Sequence, residues 1–172
     1  MSTNAHPTAG AVPPFDDFDR EVESTRRVLA RFPDGRGDWR PHAKSRTIGQ
    51  LAMHVANIPI RGTSILETSE LDMTKQAPAA PPPTTAAELV AAFDANVAGL
   101  RAAMAAASAA ELSRDWTLRA GDRVILRQSK GSLLRLMVLS HIIHHRAQLG
   151  VYYRLLDIPV PGVYGPSADE PI

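Results

Sequence analysis

The sequence predicts an all-α protein built as a single four-helix bundle, and three observations lead there. Four stretches carry apolar residues at helical spacing. The connections between them are short or rich in Pro and Gly. Aromatic residues are only 5% of the chain and Ala is abundant, a balance that favours helix over sheet. A length of 172 residues suits one domain with a full-sized core, and no internal repeat divides it.

Composition also removes several classes of function. A formal net charge of +1 gives no electrostatic case for a nucleic-acid partner. The chain has no Cys, which excludes a Cys nucleophile, a thiolate-bound metal and a disulfide framework. Any metal site must therefore use nitrogen and oxygen. No apolar run is read as approaching a membrane span, and MSTNAHPTAGAVPP lacks the apolar core of a secretory signal. The expectation is a cytoplasmic protein without a membrane partner.

Residues 1–14 read as a flexible N-terminal tail, and 15–172 as the bundle domain with an extended C-terminal tail. The first helix runs from Phe15 to Phe32, with Phe15, Phe18, Val22, Val28, Leu29 and Phe32 as its apolar stripe. The run Pro33-Asp-Gly-Arg-Gly ends it. Thr47-Ile-Gly-Gln50 fits a capping box for the second helix, whose face is Ile48, Leu51, Ala52, Val55 and Ile58. His54 lies on that face or at its edge. Pro59 cannot donate to the carbonyl of Val55, so a kink is expected there before the helix resumes to about Thr68.

Lys75 to Pro83 (KQAPAAPPP) reads as a semi-rigid loop. Thr85-Ala-Ala-Glu88 is a second capping box, and the third helix then runs to about Ser108 through Leu89, Phe93, Val97, Leu100 and Met104. With no ionisable residue on that face, it reads as scaffold. Trp116–Leu118 and Val124–Leu126 flank a turn at Gly121 and resemble a short hairpin. The tail from Ile158 contains Pro159, Pro161 and Pro166, so it should cross the bundle as an extended segment.

The fourth helix, Leu133 to Leu156, organises the rest. Its apolar residues are Leu134, Met137, Val138, Ile142, Leu149, Tyr152, Leu155 and Leu156. At about 100° per residue the mean apolar direction falls between His141 and His145, which project one turn apart from one face. Gln148 falls near the centre of the same face, and His144 towards its edge. Arg146 points away from the core, which suggests a contact with an Asp or Glu of another helix, the tail or a second subunit. Arg135, at the rear, reads as structural.

Burying such polar groups without partners costs a few kcal/mol each. A His pair at i and i+4 is a ready nitrogen site for a metal ion, and a bundle core is where such sites are built. His54, from the second helix, is the candidate to join the pair. The alternative is that the histidines are hydrogen-bonded core residues. The HExxH motif is absent because position 142 is Ile. A Gly-rich phosphate loop, GxSxG and the Glu-x-x-His pairs of di-iron bundles are absent as well.

These residues resemble the DinB/YfiT-like family of proposed metalloenzymes. The resemblance rests on the 47–58 stretch around His54, on Glu70-Leu-Asp72, on HIIHHRAQL at 141–149, on Pro159-Val-Pro161 and on YGPSADE at 164–170. It covers most of the chain from about residue 15. It implies an up-down-down-up four-helix bundle, often a homodimer, with a divalent metal held by His54, His141 and His145, and it leaves His144 out. Zinc or nickel suits three imidazoles, with iron a further candidate. The implied chemistry on a small-molecule substrate is hydrolysis, or S-transfer using a low-molecular-weight thiol as cofactor. Gln148 is then the residue to orient a His ring. The alternative function is a non-catalytic, metal-binding stress-response bundle.

Overall fold

The computed structural model describes residues 16–76, 81 and 83–171. The tail expected for residues 1–14, the helix start at Phe15 and residues 77–80 and 82 of the Pro-rich loop lie outside them. Helix α1 is Phe18–Leu29 and α2 is Ile48–Glu67. Strand β1 (Glu70–Asp72) follows, then α3 (Ala86–Ala106) and a short α4 (Ala109–Ser113). Strands β2 (Asp115–Ala120) and β3 (Arg123–Ser129) lead into α5 (Lys130–Leu134), a π-helical segment at Arg135–Ser140, and α6 (His141–Leu155).

The expectation of a purely helical bundle is corrected: a small mixed sheet accompanies the helices. Strands β2 and β3 form the antiparallel hairpin read from the sequence, with Gly121 in the left-handed region at its turn. Strand β1 was missed. It is three residues long and pairs in parallel with β2, Glu70 against Thr117 and Leu71 against Leu118. Such a short, distant pairing leaves no period-2 pattern to read. Asp72 closes this unit: its Oδ1 accepts from Thr74 N at 3.0 Å and Gly121 N at 3.1 Å. Those bonds hold its carboxyl down at about 2, the Gly121 amide contributing most.

Both capping boxes form. Thr47 Oγ1 accepts from Gln50 N, and Gln50 Oε1 accepts from Thr47 N at 2.9 Å. Thr85 and Glu88 repeat the arrangement at α3. Helix α2 continues through Pro59 to Glu67 as one element. Gly62 lets it approach closely, since an added Cβ would lie 2.8 Å from Leu100 Cδ1 and 3.0 Å from Val138 Cγ2. Helix α3 corrects the reading that no run has membrane length: it is long and apolar enough to cross one. In the structure it sits in the bundle. Leu89, Phe93, Val97 and Leu100 are buried, and Asp94 and Arg101 pair with Arg26 and Asp19 of α1.

The fourth helical segment departs most from expectation. Leu133 and Leu134 are buried, and so are Val138 and Leu139 five residues on. That spacing fits the wider i→i+5 winding, which carries residues four and five on round towards the same face. The wider turn shifts the phase of everything after it. The buried stripe of α6 is Ile142, Arg146, Leu149 and Tyr153. Arg146, expected to point outwards, is 3% exposed, while Gln148 and Leu155, expected inside, are exposed.

The inter-helix acid expected for Arg146 is Glu21 on α1, at 2.7 Å and as buried as Arg146. Desolvating two ions costs several kcal/mol each, so the pair is stable only with its remaining donors and acceptors satisfied. They are. Arg146 Nη1 donates to Glu21 O and Thr25 Oγ1, and Nη2 donates to Tyr164 Oη. The Tyr164 hydroxyl donates to Glu21 Oε2 at 2.8 Å. The tail is also pinned by Glu170, paired with Arg27 and Arg31, and by Asp169, which accepts from Arg154 and from Val160 N. Thus Tyr164, Asp169 and Glu170 of the YGPSADE run hold the tail on α1 and α6.

Arg146→Met should leave Glu21 charged and buried without its partner. The expected loss of unfolding free energy is about 3–5 kcal/mol, read from urea denaturation. A loss no larger than that of an exposed ion pair such as Arg101–Asp19 would contradict this reading.

Candidate metal centre

Helix α2 delivers His54 from the half-buried flank beside Leu51, Val55 and Ile58. Helix α6 delivers His141 and His145 from the flank one residue ahead of its buried stripe. Both are half-buried at the edge of the core face, not at its centre. The structure brings together the three histidines singled out in the sequence. One ring nitrogen from each falls within 4.8 Å of the other two. The ring centroids of His54 and His141 are 5.0 Å apart, and each lies 4.6 Å from that of His145. His144 is exposed and outside the cluster, although its ring touches that of His145.

The donor set fits a metal ion. Nε2 of His54 and Nε2 of His141 face each other at 3.0 Å. Two nitrogens on one tetrahedral zinc stand about 3.3 Å apart, from bond lengths of about 2.0–2.1 Å. His145 Nδ1 lies 2.7 Å from Gln148 Oε1. A carbonyl oxygen can only accept, so that nitrogen carries the proton and the Nε2 lone pair of His145 is left free. Gln148 therefore reaches His145 from the exposed side of α6. Among the described residues the converging donors are three imidazoles, with no carboxylate among them. An all-nitrogen set suits late first-row metals over calcium or magnesium.

The electrostatics keep these rings in the neutral form that binds metal. Burial, then the positive charge of Arg46, pushes His54 down to about 3. Burial and the neighbouring histidines push His141 down to about 4. Burial lowers His145 too, opposed by its bond to Gln148. Arg46 is held nearby because Tyr152 Oη donates to its carbonyl oxygen at 3.3 Å, while the Tyr152 ring packs edge-on against Trp39.

His54 and His141 line a cavity of about 240 Å³. Its other walls are Asn57, Ile58 and Arg61 of α2, Met73, Leu118 of β2 and Met137 of the π-helical segment. The hairpin strand β2, which the missed strand β1 pairs with, thus supplies Leu118, and the turn after β1 supplies Met73. A larger apolar hollow of about 390 Å³ lies between α6 and the tail, away from the three histidines. Chemistry, not volume, selects the first as the candidate site.

Facing helices with converging imidazoles define a class of bundle proteins that build metal sites between their helices. The DinB superfamily matches residues 17–149, and the chain belongs to that superfamily. It is 29% identical over 156 residues to a Bacillus subtilis (strain 168) protein described as uncharacterized protein YrdA, covering 87% of this chain and 85% of the relative. Its fold is similar to that of a DinB-like protein from Bacillus cereus ATCC 10987, with a TM-score of 0.63 and 24% identity over 86% of this chain and 93% of that one. The DinB-like protein YjoA of Bacillus subtilis gives 0.62 and 15%, over 83% and 92%.

Two predictions follow from this geometry. Elemental analysis should find near-stoichiometric metal in wild type and His144→Ala, and loss of it in His54→Ala and His145→Ala. Gln148→Ala should weaken affinity by about 10–100-fold. Equal loss in His144→Ala and His145→Ala would overturn the assignment. The second concerns pH. The folded state holds His54 and His141 below the ordinary 6.5, so the unfolded chain binds more protons below that value. Metal-free protein should be equally stable above about pH 7, then lose stability as pH falls from about 6.5 towards 4. The slope between about pH 6.5 and 5, where carboxylates remain charged, should be shallower in His54→Gln. An unchanged slope would contradict the shifts.

Proposed function

We propose that this protein is a metal-dependent enzyme in which His54, His141 and His145 hold one divalent ion beside the cavity. The observation that carries the reading is the convergence of three imidazoles, rather than four closed ligands, next to a cavity lined by two of them. Catalytic sites leave a coordination position open, whereas structural sites close it. Bound there, the ion would supply Lewis-acid chemistry, lowering the pKa of water or of a thiol towards neutrality.

The chain's own residues do the rest. Gln148 fixes the tautomer of His145 so that its Nε2 lone pair is left free for the ion. Ile58, Met73, Leu118 and Met137 give the cavity apolar walls that limit water around the reacting group. With no Cys in the sequence, a thiol nucleophile must arrive as a low-molecular-weight cofactor. The proposal includes zinc or nickel as the ion, iron as a further candidate, a small-molecule substrate, a homodimer and a cytoplasmic setting. A non-catalytic metal-binding bundle is the second reading, favoured if a ligand outside the three histidines closes the site.

The test is activity with the metal controlled. Zinc- or nickel-loaded protein is assayed for p-nitrophenyl acetate hydrolysis and for thiol transfer to monobromobimane. Metal-dependent turnover lost in His54→Ala supports the enzyme. Bound metal with turnover no faster than His54→Ala in both assays favours the non-catalytic reading.

A further inference from the structure

The cavity holds one charged side chain outside the histidine cluster, Arg61. Arg61 stands seven residues after His54 on α2, on nearly the same flank and about 10 Å further along the axis. It is half-buried and lines the cavity with His54 and His141. No carboxylate, carbonyl or hydroxyl among the described residues pairs with it. The cations buried deeper in the fold are paired: Arg146 has Glu21, Thr25 and Tyr164 around it, and Lys130 has Glu111 and the carbonyl of Leu66. A guanidinium withdrawn from water without a partner is costly, and burial lowers the pKa of Arg61 with nothing opposing it.

Asn57 stands between His54 and Arg61 on the same flank. Its Oδ1 accepts from Asn96 Nδ2 at 3.3 Å, and Asn96 also donates to Ala56 O at 2.9 Å. This fixes the amide by its oxygen and leaves its two N–H donors without an acceptor among the described residues. Among the described residues, none on the walls of the cavity is acidic. Arg46 adds a second positive charge near the rings. Met73, Leu118 and Met137, from elements other than α2, add apolar walls.

We propose that Arg61 and Asn57 form an anion subsite, and that the cavity takes a small carboxylate with an apolar body, its carboxylate on Arg61 and its body directed towards His54 and His141. This rests on the metal-site reading above and names the substrate class for it. A planar guanidinium offers two parallel N–H donors that match a carboxylate, and the Asn57 amide adds a third. The volume lies below the range of about 300–1,000 Å³ typical of drug-sized ligands, which limits the body to a short chain or a single ring. A bare inorganic anion would leave the apolar walls unused.

The test is a backbone amide NMR titration with benzoate and its uncharged analogue benzamide, on zinc-treated and metal-free protein. Zinc content is measured on each sample. Benzoate should shift Asn57, Ile58, Arg61 and Leu118 in wild type. Its Kd should rise about tenfold or more in Arg61→Met, the loss of one charge-assisted interaction. Arg61→Lys should recover part of the affinity, and benzamide should bind wild type about as weakly as benzoate binds Arg61→Met. Benzoate that ignores the cavity, binds Arg61→Met as well as wild type, or binds no better than benzamide would overturn the subsite. Zinc absent from wild type would sink the metal reading instead, and the metal-free titration would still decide the role of Arg61.

Discussion

The candidate site depends on one local constraint, the wider winding of Arg135–Ser140 just before His141. An α-helix continued from Leu133 would carry its apolar face round to a different set of α6 residues. The i→i+5 turn instead buries Val138 and Leu139 together, then sends Ile142, Arg146, Leu149 and Tyr153 inwards. His141 and His145 thereby come to the flank that meets His54. Helix α2 is ready to meet them, because the Thr47–Gln50 box fixes its start and Gly62 lets it lie close to Val138. Segments of this kind occur frequently at functional sites, and here the reason is geometric.

Charge is divided across α6. On its buried face Arg146 is fully paired with Glu21, in a network that ties α1, α6 and the tail. On its histidine flank, among the described residues, no acid offsets the burial of the rings, and the neighbouring charges are the cations Arg46 and Arg61. The first arrangement stabilises the fold by pairing the two buried ions with each other and bonding them to Thr25 and Tyr164. The second leaves neutral nitrogens and, among the described residues, an unpaired guanidinium around one cavity, where a bound ligand would pair them.

Much of this was legible in the sequence. The long helices, both capping boxes and the hairpin around Gly121 followed from periodicity and turn chemistry. The three histidines followed from their spacing and from the family resemblance. The errors share a cause. A uniform 100° per residue cannot register a π-helical turn, so Arg146 and Gln148 were placed on each other's side of the helix. The fivefold spacing of Leu133, Leu134, Val138 and Leu139 was the signal that could have revealed it. Strand β1 was hidden because three residues pair with a partner far along the chain, and Leu118 and Met73 entered the site only through that sheet. Arg61 was invisible because a lone Arg on a helix gives no hint that it lacks a partner.

The proposed centre has three imidazoles from two helices around one ion. X-ray absorption at the zinc edge, on protein carrying one zinc per chain, tests it most directly. The expected spectrum shows the multiple scattering of three imidazole rings around the metal, with water or another oxygen ligand completing the shell. A spectrum with one imidazole or none would mean that zinc binds elsewhere and that His54, His141 and His145 meet for packing alone.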